Sequence, residues 1–345
     1  MSHQFKILSL DGGGIKGLYT ATVLSHFEEE FKVPVGQVFD MICGTSTGGL
    51  IALALSKGIP AKDLVTFYKN EGPNIFYSKR FLSRIRGLYR QIAGNGKYDN
   101  ANLRNALEGI LGKTMMSEAQ NLLCIPSFNL TSGTPRVFKF PHKEGGYSED
   151  YYGSMMDAAL ATSAAPTYFP AFFSDNTYYA DGGVWANNPT LCGIRDALEY
   201  FVGEDKPLKG RNNSIRFSSY SILSIACLPQ KNGWAHTGNS SDLKMSFLNW
   251  QDKLFETSLD GQSQFAHQFA ERIVYQTKAQ GTYYRIEGPS EISAPQQALL
   301  TLDNTSSASL QALEQLGNRV GKNFRTRLKG DISHFFLHKK LYQTN

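Results

Sequence analysis

The stretch that decides the fold is Gly44-Thr45-Ser46-Thr47-Gly48. An apolar run, residues 38–43, precedes it, and a second apolar run, residues 49–55, follows it. A G-x-S-x-G pentapeptide between a buried strand and a helix forms a tight turn, and its glycines are needed because a Cβ there would clash. The turn lifts Ser46 to a helix N-terminus, where free backbone N–H groups favour developing negative charge. We therefore interpret this stretch as a nucleophile elbow and Ser46 as a nucleophile.

Composition limits the classes of protein that fit. The chain has 345 residues and 41% hydrophobic content, enough for one large α/β domain or two smaller ones. A net charge of +5 is too small to indicate binding of polymeric nucleic acid. The N-terminus lacks the pattern of a secretory signal, and no apolar run reaches the roughly 20 residues that span a bilayer. Four isolated cysteines argue against a disulfide framework or a zinc site: Cys43, Cys124, Cys192 and Cys227. We expect a globular protein of the cytosol.

A glycine-rich loop, residues 11–17, follows the predicted first strand. Gly12, Gly14 and Gly17 fit the G-x-G-x-x-G pattern, and Asp40 lies at a distance suitable for a ribose ligand, so a dinucleotide site is one hypothesis. Against it, the serine elbow already occupies the end of the second strand. We favour an oxyanion hole, in which the N–H groups of Gly13 and Gly14 converge on one oxygen.

A serine nucleophile needs a general base, and Asp181 is the best candidate. It follows a short predicted strand, and Gly182 and Gly183 let the backbone turn sharply after it. An Asp before Gly-Gly is most often a turn former. A histidine base remains open, with His142 and His236 as the candidates nearest to suitable loops.

A basic segment, residues 77–98, contains no acidic residue, and its apolar residues recur at helical spacing. Such a helix either packs on the core with a solvated basic face or lies in a lipid interface, where Arg84, Arg86 and Arg90 would contact lipid or phosphate. The C-terminal tail, residues 334–342, is aromatic and basic, and we expect it to dock on the core.

Three motifs in this order, residues 11–17, residues 44–48 and Asp181 with its two glycines, resemble the patatin-like phospholipases. Residues 161–166 and 187–189 add to the resemblance, which is strong over about residues 5–200. It implies a three-layer α/β/α fold with a mostly parallel central sheet, in a single domain over residues 1–345. Within it we expect a motif-bearing core of about 5–203 and a C-terminal helical elaboration of about 212–345.

The resemblance also implies roles for single residues. A dyad of Ser46 and Asp181 would replace the usual triad, without a metal or cofactor. The oxyanion hole would come from Gly12, Gly13 and Gly14. Five further glycines would support the motifs: Gly17, Gly44, Gly48, Gly182 and Gly183. One departure is that residues 221–228 run into Pro229 where many members have a Gly-Thr-Gly turn, so the far side of the site is expected to differ.

The resemblance implies a phospholipase A or lysophospholipase, cytoplasmic and peripheral at the inner membrane when active. Several bacterial members are antiphage effectors that a cyclic oligonucleotide switches on, so such an activator is a further expectation. Four residues could clamp phosphates or stack on bases: Arg211, Arg216, Trp234 and Tyr220. Three alternatives stay open: a constitutive housekeeping lipase or esterase, a nucleotide-binding module using the glycine loop, and a pore- or surface-binding protein acting through the basic segment. A homodimer is also left open.

Overall fold

A computed structural model of the chain describes residues 3–77, 96–140, 150, 152–206, 215–228, 247–276, 281–289, 291–323 and 329–342. Within these residues the strands are β1 His3–Leu10, β2 Met41–Gly44, β3 Leu122–Asn129, β4 Thr134–Lys139, β5 Phe172–Ser174, β6 Thr177–Asp181, β7 Phe217–Ile225 and β8 Thr282–Ile286. The helices are α1 Gly17–Phe31, α2 Thr47–Lys57, α3 Ala61–Ile75, α4 Asn100–Glu108, α5 Met155–Thr162, α6 Gly183–Ala186, α7 Thr190–Asp196, α8 Phe247–Gln276, α9 Ala294–Gln297, α10 Ser307–Asn323 and α11 Lys329–Phe336.

The strands form one sheet in the order β5-β6-β3-β2-β1-β7-β8, with β4 paired to β3. The five strands from β3 to β8 along this order are mutually parallel, whereas β4, β5 and β6 pair antiparallel. The predicted α/β fold with a mostly parallel central sheet is therefore confirmed.

Helices cover both faces of the sheet, which explains why β1 and β2 read as continuous apolar runs. On one face Phe5 of β1 stacks on Phe201, with ring centroids 4.9 Å apart. On the other face Lys6 Nζ donates to the carbonyl of Phe335 in α11. Alternate residues of one strand thus contact opposite layers, as a three-layer fold requires.

The part of the chain after residue 212 is not only a helical elaboration. Strand β7 pairs with β1 along its whole length, and β8 extends the sheet beyond β7. The C-terminal part therefore completes the same sheet that carries the motifs. This corrects the expectation of a helical addition to a finished core.

The tail docks on the core as predicted. Phe335 is fully buried, and Phe336 stacks on Phe31 with ring centroids 4.3 Å apart. The backbone N–H groups of Leu341 and Tyr342 both donate to Asp40 Oδ1, at 2.8 and 2.7 Å. The buried carboxylate of Asp40 therefore holds the end of the chain against the sheet.

Candidate active site

Ser46 lies in the turn between β2 and α2 with a strained backbone, φ 53° and ψ −124°. A Cβ on Gly44 would lie 2.2 Å from the carbonyl oxygen of Gly48, and one on Gly48 would lie 2.3 Å from that of Leu10. Both glycines are thus required by close backbone packing, as the pentapeptide predicted. The Ser46 N–H donates to Thr162 Oγ1 at 2.9 Å, which helps to hold this conformation.

Strand pairing explains how Asp181 comes to lie beside this turn. Strand β4 pairs along one edge of β3. Strands β2 and β6 both pair along the other edge, β2 at Cys124 and β6 at Ser127. Cys43 of β2 pairs with Cys124, and Asp181 of β6 pairs with Ser127, three residues further along. Strand β6 therefore takes the edge of β3 that β2 leaves when the chain turns at the elbow, and Asp181 faces that turn.

Asp181 is buried at the end of β6, and its Oδ1 accepts a hydrogen bond from the Gly183 N–H at 2.7 Å. Burial raises the pKa of Asp181 to about 7, while hydrogen bonds from the Ser46 hydroxyl and the Gly183 N–H act in the opposite direction. The site thus holds a buried carboxyl group in the same pocket as the serine, and this group can take or release a proton near neutral pH.

The glycine loop lies on the other side of Ser46. A Cβ on Gly12 would lie 3.2 Å from Ser46 Cβ, so the loop and the elbow are in close contact. The Gly12 N–H already donates to the carbonyl of Asn187 at 3.0 Å, which corrects the expectation that Gly12 supplies an oxyanion donor. No residue in the described ranges accepts a hydrogen bond from the N–H of Gly13 or Gly14, so these two donors remain.

The three remaining supporting glycines lie at close contacts. A Cβ on Gly17 would meet Thr47 Oγ1 at 2.2 Å, where the first turns of α1 and α2 meet. A Cβ on Gly182 would meet the carbonyl oxygen of Pro126 at 2.2 Å, and one on Gly183 would meet a methyl of Leu259. Each glycine therefore allows two elements to approach more closely than a side chain would permit.

A mostly apolar pocket opens onto Ser46, Asp181, Gly13 and Gly14. Its walls come from residues distant in sequence, among them Ile15, Leu50, Ile75, Phe76, Phe169 and Phe255. A pocket lined by aliphatic and aromatic side chains suits a hydrocarbon chain, with a few polar groups at one end to orient the reacting atoms.

A buried ion pair supports the glycine loop, and no local pattern in the sequence predicts it. Arg285 of β8 donates to both carboxylate oxygens of Asp11, at 3.2 and 2.6 Å, and also to Ser224 Oγ at 2.7 Å. Ser263 of α8 donates to Asp11 Oδ2 at 2.5 Å. The start of the glycine loop is thereby tied to the C-terminal part of the chain. Nearby, Leu228 accepts a hydrogen bond from Lys16 Nζ at the far side of the site.

Several predicted residues are outside the described part of the chain or away from the pocket. Arg84, Arg86 and Arg90 fall outside the described residues, as do His142, His236, Arg211 and Trp234. The histidines within the described ranges do not line the pocket: His3, His26, His267, His334 and His338. Tyr220 is fully buried in β7, so the expectation that it stacks on a base is wrong. Asp40, the ribose ligand of the dinucleotide hypothesis, is buried under the tail instead.

The described residues contain no group of three or more His, Cys, Asp or Glu side chains arranged to hold a metal ion. Among the helices of these residues, none combines the length and apolar character needed to cross a bilayer.

Ester hydrolysis on a substrate with a hydrocarbon chain is the chemistry that this arrangement serves best, so the class is an acyl hydrolase. Comparisons with known proteins identify the family within this class. Residues 8–191 match the family model described as patatin-like phospholipase. The chain is 31% identical to a Vibrio cholerae protein named cGAMP-activated phospholipase, covering 97% of this chain and 95% of the relative. A Pseudomonas aeruginosa protein of the same name is 29% identical, covering 92% and 88%.

Among solved structures, human GIVD cytosolic phospholipase A2 is 11% identical, with a TM-score of 0.44, covering 96% of this chain and 60% of that one. The family model and the Vibrio relative decide the assignment. The chain belongs to the patatin-like phospholipase family, and it is a lipid acyl hydrolase.

Proposed function

We propose that Ser46 and Asp181 act as a catalytic dyad that cleaves the carboxylic ester bonds of membrane phospholipids. The observation that supports this proposal is that Ser46 and the buried Asp181 line the same apolar pocket. A base with a pKa near the working pH is both substantially deprotonated and strong enough to accept a proton. The raised pKa of Asp181 suits this role without a histidine.

The reaction has two halves. In the first, Asp181 accepts the hydroxyl proton as Ser46 Oγ attacks the ester carbonyl carbon, and the carbonyl electron pair moves onto its oxygen. The bond to the lysophospholipid then breaks, and Asp181 returns the proton to the leaving alkoxide. In the second half, water gives a proton to Asp181 and attacks the acyl group, and that proton returns to Ser46 Oγ as the fatty acid leaves.

The N–H groups of Gly13 and Gly14 would stabilise the oxyanion of both tetrahedral intermediates. Such donors contribute most when they are fixed in advance and aimed at the developing charge. The acyl chain would occupy the apolar pocket beside them, because its walls offer hydrocarbon contacts and few polar partners.

Hydrolysis of phospholipid vesicles, followed by mass spectrometry of the released lipids, tests this proposal. Ser46→Ala and Asp181→Asn should each reduce hydrolysis to near background, because nucleophile and base act as a unit. The exposed residues Ser132 and Asp175 offer matched controls, and Ser132→Ala and Asp175→Asn should keep wild-type rates. Substantial hydrolysis by the Ser46→Ala protein would overturn the assignment, as would loss of activity in a folded His142→Ala or His236→Ala protein.

We also infer that a cyclic dinucleotide switches the enzyme on, as in an antiphage effector. Relatives named cGAMP-activated phospholipase match more than nine-tenths of this chain, which supports the inference. An activator must bind the active state several kcal/mol more tightly than the resting state. We expect little basal vesicle hydrolysis and a steep increase with one member of a panel of cyclic di- and trinucleotides. High basal activity unchanged by every member would favour a constitutive housekeeping lipase.

We propose that the active enzyme works in the cytoplasm, as a peripheral protein on the inner membrane. A phospholipase that must reach bilayer lipid without spanning it needs reversible surface contact. Cell fractionation before and after activation tests this location, and a protein found only in the soluble fraction under both conditions would contradict it. A homodimer is a further proposal, and sedimentation velocity with and without cGAMP tests it.

A further inference from the structure

Three apolar side chains form an exposed row at one end of the sheet. Leu130, Phe173 and Tyr178 are 47%, 53% and 52% exposed. The Leu130 N–H donates to the carbonyl of Tyr178 at 2.8 Å, and Phe173 pairs with Tyr178 across the β5–β6 hairpin, with ring centroids 4.8 Å apart. Paired residues of neighbouring strands point to the same face, so the three side chains lie together. We call these three residues the apolar tip.

The apolar tip and the candidate active site lie at the same end of the sheet. Tyr178 is three residues from Asp181 along β6, which corresponds to about 10 Å of extended strand. Strand β6 runs antiparallel to β3 and begins beyond the point at which β2 turns into the elbow. The hairpin therefore extends past Ser46 at the carboxyl end of the parallel strands. Phe169, which lines the pocket, is separated from β5 by two residues. A surface that contacted the apolar tip would thus meet the same end of the molecule as the pocket.

The chemistry of the apolar tip fits a lipid interface. Phenylalanine and leucine contribute apolar area, and tyrosine combines a hydrophobic ring with a hydroxyl that can stay hydrated at the headgroups. The hairpin, residues 172–181, has no basic residue, and outside the active site its one acid is Asp175 in the turn. Contact would therefore rest on apolar insertion more than on charge.

We propose that the apolar tip inserts into the phospholipid bilayer interface and docks the enzyme with its acyl pocket toward the lipid. This proposal rests on the proposed function, since only a membrane substrate requires such docking. Two rival surfaces exist. The outer face of α8 also exposes apolar side chains, including Phe265, Phe269 and Tyr275. Strand β5 is an edge strand and could instead pair with a second copy of the chain.

Vesicle binding tests the proposal separately from catalysis. Two variants, one of the apolar tip and one of α8, are made in the Ser46→Ala protein, so that lipid is not consumed. Binding is measured on vesicles of phosphatidylethanolamine and phosphatidylglycerol, with and without cGAMP. The tip variant is L130T/F173T/Y178T, because threonine keeps strand propensity while removing apolar area. The control is F265Q/F269Q/Y275Q, which removes at least as much exposed apolar area from α8 and keeps helix propensity. Thermal melts establish that both variants fold.

We expect the tip variant to bind vesicles about tenfold or more weakly, and the α8 variant to change by less than about twofold. Unchanged binding by the tip variant, or an equal loss in the α8 variant, overturns the proposal. So does a shift of the tip variant from dimer to monomer in sedimentation velocity without loss of vesicle binding. If wild type hydrolyses neither vesicles nor a soluble ester, the proposed function fails, whereas the binding comparison still decides the role of the apolar tip.

Discussion

The substitution Asp181→Asn removes a buried ionisable group and keeps the size of the side chain. Burial raises the pKa of Asp181 to about 7, from an ordinary value of 3.8. Between these values the folded protein holds a proton that the unfolded chain has released, so the free energy of unfolding falls as the pH rises. Each pKa unit corresponds to about 1.4 kcal/mol, which makes the whole loss about 4 kcal/mol.

Urea unfolding of the wild-type and Asp181→Asn proteins from about pH 4 to about pH 8 measures this loss. Other titrating groups are shared, so the difference between the two free energies of unfolding isolates Asp181. The variant should gain about 4 kcal/mol relative to wild type across this range. The exposed Asp175→Asn protein is the matched control, and it should show no comparable gain.

The same ionisation should control catalysis. Below about pH 7, kcat/KM of wild type for a soluble short-chain ester should fall about tenfold per pH unit, because only deprotonated Asp181 can accept the serine proton. A stability difference that stays constant with pH would refute the raised pKa. An activity plateau extending to about pH 5 would refute the role of Asp181 as the base.

Three further predictions concern the surroundings of the dyad. Gly13→Ala should lower kcat by about 10² to 10³, as loss of an oxyanion donor does, because the new Cβ would lie 2.4 Å from Cys227 Sγ and displace the loop. Adding Cys227→Gly to this variant should restore part of the rate, and an equal loss in binding of a ground-state analogue would argue against an oxyanion role. Arg285→Ala should destabilise the protein by about 3–5 kcal/mol in urea unfolding, because it leaves Asp11 buried without its charged partner, and the double Asp11→Asn/Arg285→Met protein should lose less stability. A loss below about 1 kcal/mol, as for an exposed ion pair, would contradict this. Charge reversal of Arg84, Arg86 and Arg90 in the basic segment should weaken hydrolysis of anionic vesicles and spare hydrolysis of a soluble ester. Equal losses on both substrates would indicate that the segment is structural.

The parts of the site that the sequence predicted are those whose chemistry is local. The spacing of Gly44, Ser46 and Gly48 predicts a strained turn because the clashes that require glycine lie within the turn and its own strand neighbours. Asp181 before two glycines likewise describes a fixed carboxylate. The contact between Ser46 and Asp181 depends on β6 taking the free edge of β3, and this antiparallel insertion leaves no periodic pattern in either segment.

The parts that sequence reasoning missed depend on long-range contacts. Asp11 and Arg285 are 274 positions apart, and a single Arg in a short strand gives no sign of its partner. Tyr220 looked available for stacking because a strand's position in the sheet cannot be read from its composition. The pairing of β7 between β1 and β8 buries it fully. Gly12 fitted the loop motif, yet its N–H is taken by Asn187, a residue brought there by the turn after Asp181.

Covalent labelling with a fluorophosphonate, followed by peptide mass spectrometry, tests the assignment of the nucleophile most directly. Such a reagent phosphonylates an activated serine and leaves unactivated serines unmodified. We expect one adduct, on the peptide that contains Ser46, much slower labelling of Asp181→Asn protein, and no labelling of Ser46→Ala protein. An adduct on another serine, or undiminished labelling of the Ser46→Ala protein, would contradict the Ser46–Asp181 dyad.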